Sequence, residues 1–267
     1  MIPEGLNTVQ TLMHDFRAVG VQPGMTLVVH TSFKAIGEVS GGPVAVILAL
    51  EGLLGEAGTL VMPTHTGNLS DPAYWKIDPV PESWWQPIRD TMPAYDPALT
   101  PTWRMGIIAE TFRKQDGVIR SANPDASFAA WGKHSHQIID NHALFPLFGE
   151  QSPLARVYDL EGWVLLLGVG HGNNTSLHVA EGRANIPRQM QHFGSPMRVD
   201  GVRQWVAFED IDWDDSDFVQ IGADFARETG LQHAGKVGNA ATILVPQRPL
   251  IDYAVGWLER HRKSEHA

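Results

Sequence analysis

His178 and Glu181 stand three residues apart in the stretch Leu177-His178-Val179-Ala180-Glu181. On a helix an i, i+3 pair shares one face, so the imidazole and the carboxylate can meet. A carboxylate beside an imidazole orients the ring and stabilises its protonated form, which is what a general base needs. The same spacing also describes a core or surface histidine with an incidental glutamate. A second group is His30-Thr31-Ser32, followed by Gly37, Gly41 and Gly42. Hydroxyls and free backbone N–H groups there would suit an anionic or thioester-bearing ligand. The plainer reading is a strand exit with polar caps. A third group runs from Glu209 to Asp217 and holds six carboxylates in nine residues. Clustered carboxylates raise the local cation concentration, so the run reads as a polycation-binding rim or as a solvated loop that caps the next helix. It is no EF-hand, because the required glycine is Asp215 and the terminal glutamate position is Ile221.

These residues need elements to hold them. Leu27-Val28-Val29 is a short apolar run, read as a buried strand ending near His30. Before it, Val9, Leu12, Met13 and Phe16 fall at i, i+3, i+4 and i+7 and predict a helix that Gly20 ends. A second helix follows Gly41-Gly42-Pro43, and Leu60-Val61-Met62 is another strand, stopped by Pro63. Trp163–Leu167 is the most apolar strand and runs into the glycine-rich turn from Gly168 to Gly172. Asn174 or Thr175 would then cap the helix that carries His178 and Glu181. Helices are expected over Met105–Phe112, within Trp131–His142, over Phe218–Glu228 and over Leu250–Arg262, with strands at Val202–Ala207 and Ile243–Val245. Such alternation predicts the α/β class: a layered α/β/α fold with a central, largely parallel or mixed sheet. In such sheets ligands bind beyond the carboxyl ends of the strands, which is where His30 and the glycine-rich turn fall.

One stretch breaks the alternation. Between Asp71 and Pro101 the chain holds seven prolines and three tryptophans, a density that argues against a regular helix or central strand. Residues 67–101 therefore read as a substrate flap, or as a surface excursion that pins its aromatics onto the core. No repeat or linker is visible, so residues 1–267 read as one domain with this insertion, ending in a frayed polar tail at 263–267.

Composition removes several function classes. The 267 residues are 43% hydrophobic and 19% charged, enough apolar material for a sizeable core. Thirty acids against twenty bases give a formal charge of −10, the wrong sign for a nucleic-acid binder and the right sign for a cationic partner. With no cysteine there is no disulfide, thiolate zinc site or cysteine nucleophile. Residues 1–5 carry no basic region followed by an apolar run, and no apolar stretch approaches a bilayer span. No membrane association is expected, and the expected location is cytoplasmic. Gly168 and Gly170 start a dinucleotide-binding fingerprint, but its third glycine position is Asn173. His134, His136 and His142 lack a matching carboxylate cluster, and no metal is expected. His178 with His30, His65 or His171 could form a metal site in space, which only the tertiary fold decides.

Taken in order, these motifs resemble the aminoglycoside 3-N-acetyltransferases, the antibiotic N-acetyltransferase family. The resemblance rests on His30-Thr31-Ser32-Phe33-Lys34-Ala35-Ile36-Gly37, Val39-Ser40-Gly41-Gly42, Gly58–Thr64, Tyr95-Asp96-Pro97, Ser127–Gly132, Ser152–Arg156, Leu165–Glu181, Glu209–Asp212 and Val237–Ala240. It covers residues 8–260. Two positions depart from the family pattern: Asn123-Pro124 stands where a His-Pro pair is common, and Gly172 replaces a commonly acidic residue. The resemblance implies acetyl transfer from acetyl-CoA to the 3-amino group of a 2-deoxystreptamine ring, conferring antibiotic resistance. It implies His178 as general base with Glu181 in support, and His30 as a second catalytic candidate. It places the coenzyme against His30, Thr31, Ser32, Phe33, Ser40, Gly41 and Gly42, with donors for the thioester oxygen around Thr31 to Phe33. The cationic drug would lie against Asp71, Asp96, Glu209, Asp210 and Asp212. The expected assembly is a monomer or homodimer. The alternatives are an acetyl-CoA-dependent enzyme acting on another amine, a non-enzymatic binding protein and a metal-dependent hydrolase.

Overall fold

The computed structural model describes residues 5–262. The expectations for residues 1–4 and for the tail at 263–267 lie outside them. Its strands are β1 (Leu6–Asn7), β2 (Thr26–Thr31), β3 (Glu38–Val39), β4 (Thr59–Pro63), β5 (Ile119–Arg120), β6 (Phe128–Gly132), β7 (Trp163–Leu167), β8 (Met190–Val199), β9 (Val202–Ile211), β10 (His233–Val237) and β11 (Ala240–Pro246). Seven of them form the central sheet in the order β10-β11-β7-β2-β4-β6-β5. The three central strands β7, β2 and β4 are parallel, and every other pairing within this sheet is antiparallel. The sheet is therefore mixed, with a parallel centre. Parallel strands are covered on both faces, which explains why Leu27–Val29, Leu60–Met62 and Val164–Leu167 are unbroken apolar runs rather than alternating ones.

The period of two along a strand sorts these side chains into two cores. Leu27, Val29, Leu60, Met62, Leu165 and Leu167 face one layer, built on helices Val9–Val19, Gly42–Leu54 and Gly106–Phe112. Val28, Val61, Val164 and Leu166 face the other, built on helices Pro153–Asp159, Leu177–Arg183, Phe218–Thr229 and Gln247–His261. This is the α/β/α arrangement. His30 shares the face of Val28, the side on which helix Leu177–Arg183 packs.

Three sequence expectations change. The proline-rich stretch does contain a helix, Trp85–Thr91, with Pro87 in its first turn. First-turn N–H groups have no intrahelical partner, so proline costs nothing there. Second, the expected strand at Val202–Ala207 is part of a ten-residue strand, β9, paired antiparallel with β8 in a separate ribbon. Gly194 and Pro196 hid β8; an edge position tolerates both. Third, the acidic run is not all loop, because Glu209, Asp210 and Ile211 close β9. Among the described residues no helix is long and apolar enough to cross a membrane.

Candidate active site

β2 and β7 run side by side with His30 opposite Leu166 and Thr31 opposite Leu167. Their carboxyl ends and that of β4 open onto a cleft of about 270 Å³. His30, Thr31, His65, Thr175, His178 and Asp215 are among the residues that line it. The chain leaves β7 through Gly168, whose φ is +70° and where a Cβ would lie 2.5 Å from that of Ala35. Only glycine lets the turn pass so close to the residues after β2. The helix carrying His178 begins after Ser176, not at Asn174 or Thr175. Those two sit in the tight turns leading in, where Asn174 O accepts from Leu177 N and Thr175 O from His178 N.

The i, i+3 spacing does bring its two residues together. His178 Nδ1 is 2.8 Å from Glu181 Oε2. A carboxylate only accepts, so Nδ1 carries the proton and Nε2 holds the free lone pair. Nε2 has no protein hydrogen-bond partner among the described residues, and its ring lines the cleft. The ring is held on three sides. Phe148 stacks on it at 4.7 Å with 14° between the planes, and the edges of Phe218 and Trp213 meet it at 4.7 and 5.5 Å. Glu181 is buried, and its other oxygen accepts from Asp214 N and from Arg262 Nη1, both at 3.0 Å.

His30 and His65 reach the same cleft from β2 and from the residues after β4. Burial lowers the His30 pKa to about 4. Burial, aided by neighbouring imidazoles, lowers that of His65 to about 3. Both are therefore neutral near pH 7, and an incoming ammonium meets no imidazolium from either. The Nε2 atoms of both are buried without a protein partner. His142 and His171 serve the fold instead. His142 bridges Ser121 Oγ and Leu147 O, and His171 bonds Gln232 Oε1 at 2.9 Å. Among the described residues no three His, Asp or Glu side chains are grouped to hold a metal ion.

The other expected residues scatter. Ser32, Phe33, Ser40, Gly41 and Gly42 do not line the cleft. Ser32 N already donates to Leu167 O at 2.8 Å, which removes it from the expected thioester donors. Gly41 and Gly42 start the 13-residue helix Gly42–Leu54, with φ of +88° and +61°. Asp71 is tied to Arg89 at 2.7 Å, and Asp96 holds the amides of Ala98 and Leu99. Glu209 is exposed on the ribbon beside His192. Asp210 is 2% exposed and accepts from Leu147 N, Ile211 N and Trp213 Nε1. Asp212 is exposed and lines a second cavity of about 400 Å³ with Tyr74, Trp75, Trp103 and Trp213. Trp213 lines this cavity and its ring also meets that of His178, so the cavity lies beside the His178–Glu181 pair, with residues 67–78 forming one wall. The sequence offered no signal for Phe148 or Arg262, and only the bare residue type for His65.

The family model for aminoglycoside 3-N-acetyltransferase matches residues 28–259. The chain is 43% identical over 252 residues to the SPbeta prophage-derived aminoglycoside N(3')-acetyltransferase-like protein YokD of Bacillus subtilis, covering 94% of this chain and 92% of that protein. The crystal structure of YokD superposes with a TM-score of 0.92 at 41% identity, covering 96% of this chain and all of that one. Aminoglycoside N(3)-acetyltransferase VII of Streptomyces paromomycinus is 36% identical over 271 residues, 96% of this chain and 93% of its own. The structure of AAC-IIIb in a binary complex with CoASH aligns at 28% identity and a TM-score of 0.86, over 98% of this chain and all of that one. With a histidine–glutamate pair at the carboxyl edge of the sheet and these likenesses along nearly its whole length, the chain belongs to the aminoglycoside 3-N-acetyltransferase family and is an acyltransferase.

Proposed function

We propose that the protein transfers the acetyl group of acetyl-CoA to the 3-amino group of the 2-deoxystreptamine ring of an aminoglycoside, with His178 as general base. The observation that carries this reading is the His178–Glu181 pair, with Nδ1 committed and Nε2 free in the cleft. An alkylammonium cannot attack a thioester until it loses a proton. The ammonium first releases one proton to solvent, and His178 Nε2 takes a second as the neutral amine nitrogen bonds to the thioester carbon. The C–S bond then breaks, and the imidazolium returns the proton to the leaving thiolate. Glu181 steadies the transient imidazolium. The hydroxyls of Thr31 and Thr175, which line the cleft, supply donors for the developing oxyanion. The amine becomes a neutral amide, and the loss of that positive charge on the drug underlies resistance.

Support for the coenzyme comes from the CoASH complex of the related AAC-IIIb. In this reading Ser40, Gly41 and Gly42, at the N-terminus of helix Gly42–Leu54, meet its phosphates, supported by the free N–H groups of a helix start. The acceptor enters past residues 67–78 into the cavity shared by Asp212, Trp75, Trp103 and Trp213. Sugar rings stack on such walls while the carboxylate takes an ammonium. Asp71, Asp96 and Asp210 hold the fold around this site, and Glu209 and Asp212 remain to face the drug.

The test is thiol release from acetyl-CoA with a panel of aminoglycosides and a no-acceptor control, followed by mass spectrometry of the product. Release with 2-deoxystreptamine drugs and acetylation at the 3-amine are expected. No release from protein that still binds CoA would move the acceptor to another amine.

A further inference from the structure

Arg262 follows the last helix, Gln247–His261, and lies three residues beyond the stretch matched by the family model. Its side chain returns to the active site. Nη1 donates to Glu181 Oε1 at 3.0 Å, Nε to Asp217 Oδ2 at 2.7 Å, and Nη2 to Asp214 O at 2.8 Å. The guanidinium is 18% exposed and the Glu181 side chain 3% exposed. Asp214 N closes the arrangement by donating to the same Oε1. Glu181 Oε1 is thus fully engaged, and Oε2 is left to His178 Nδ1.

We propose that Arg262 is a positioning residue for His178, acting through Glu181. The proposal rests on the general-base reading above. A guanidinium is a planar fork with fixed donor directions, so it sets the plane of the carboxylate it binds. That plane decides whether Oε2 meets Nδ1 in line. Arg262 also sets how strongly Glu181 favours imidazolium, because its positive charge partly offsets the carboxylate.

The other charged groups around the pair do not duplicate this. His30 and His65 face His178 across the cleft and are neutral, and Arg104 and Asp215 lie on the cleft lining. Asp214 and Asp217, in the segment after β9, both pair with Arg262 itself. Arg188 donates to the main-chain oxygens of Glu181 and Gly182 rather than to the carboxylate. Among the described residues Arg262 alone places a cation on the Glu181 side chain. Without it, Glu181 and Asp214 would act on the imidazole uncompensated.

The experiment compares wild-type protein with R262Q, following the His178 ring by NMR titration and, separately, kcat/KM against pH. In R262Q the His178 midpoint and the acid limb of the rate profile should both rise by about one pH unit. A folded R262Q with both unchanged would overturn the proposal. If R262Q does not fold, R262K decides. Lysine keeps the charge but cannot bridge Glu181 and Asp217 as a fork. A hydrogen-bonded Nδ1–H resonance of His178, expected in the wild type, should then be lost in R262K, and its persistence there would overturn the proposal. The NMR readings need no substrate. Absence of acetyl transfer by the wild type would therefore count against the proposed function without deciding the role of Arg262.

Discussion

Phe148 lies flat against His178, with ring centroids 4.7 Å apart and 14° between the planes. The stack fixes the imidazole's rotation about its own axis, and the bond to Glu181 fixes the direction of Nδ1. Phe148 also bears on Trp213 and His65. Phe148→Ala should therefore do two things. It should cost about 3 kcal/mol of stability, as for other large-to-small core changes. It should also lower kcat more than it raises KM, because a tilted base misses its proton. Urea unfolding and steady-state kinetics on one preparation separate these effects.

His178→Ala removes the proposed base but leaves the strand ends and the Gly42–Leu54 helix intact. Turnover should fall by a factor on the order of 100 or more. CoA affinity, read by calorimetry, should stay within about threefold of wild type, since the change removes chemistry rather than a coenzyme contact. Near-normal turnover of the folded variant would take His178 out of the mechanism.

The buried His30 makes stability depend on pH. Its pKa is about 4 in the folded protein against 6.5 when solvated. Between those values the unfolded chain binds more protons, so stability rises with pH across the window. The neutral form's contribution is complete above pH 6.5 and is lost as pH falls toward 4. For a shift of this size the loss is roughly 3 kcal/mol. His30→Gln should flatten the dependence of the urea midpoint on pH between 6.5 and 4. An unchanged slope would show that His30 does not drive it.

Asp210 and Asp212 are neighbours in sequence with different fates. Asp210→Asn should lower the melting temperature, because the buried carboxylate accepts three hydrogen bonds that an amide cannot all keep. Asp212→Asn should leave melting unchanged and raise KM for the aminoglycoside. The increase should shrink as salt rises, because an exposed charge is screened. Equal KM at low and high salt in both proteins would remove Asp212 from acceptor binding.

Much of the molecule was legible in one dimension because its signals are local. The apolar runs at Leu27–Val29, Leu60–Met62 and Trp163–Leu167 marked buried strands, and their alternation with helices implied a layered sheet. The three-residue interval from His178 to Glu181 needs one helical turn and nothing else to bring them together. Position also followed from the pattern: a strand, a tight glycine turn and a helix put that pair at the carboxyl edge.

Tertiary structure decided what depends on residues far apart in the chain. His65 and His178 share a cleft although 113 positions separate them, and no periodicity records that. Arg262 reaches Glu181 only because the last helix packs beside the helix that carries it. The carboxylates counted as a drug-binding set divide for the same reason. In sequence, Asp71, Asp96, Asp210 and Asp212 are equivalent charges. Folding gives Asp71 an arginine, Asp96 two loop amides and Asp210 a buried hydrogen-bond set, and leaves Asp212 facing open space. Which charge stays free is settled by who its neighbours are, and neighbours are set by packing.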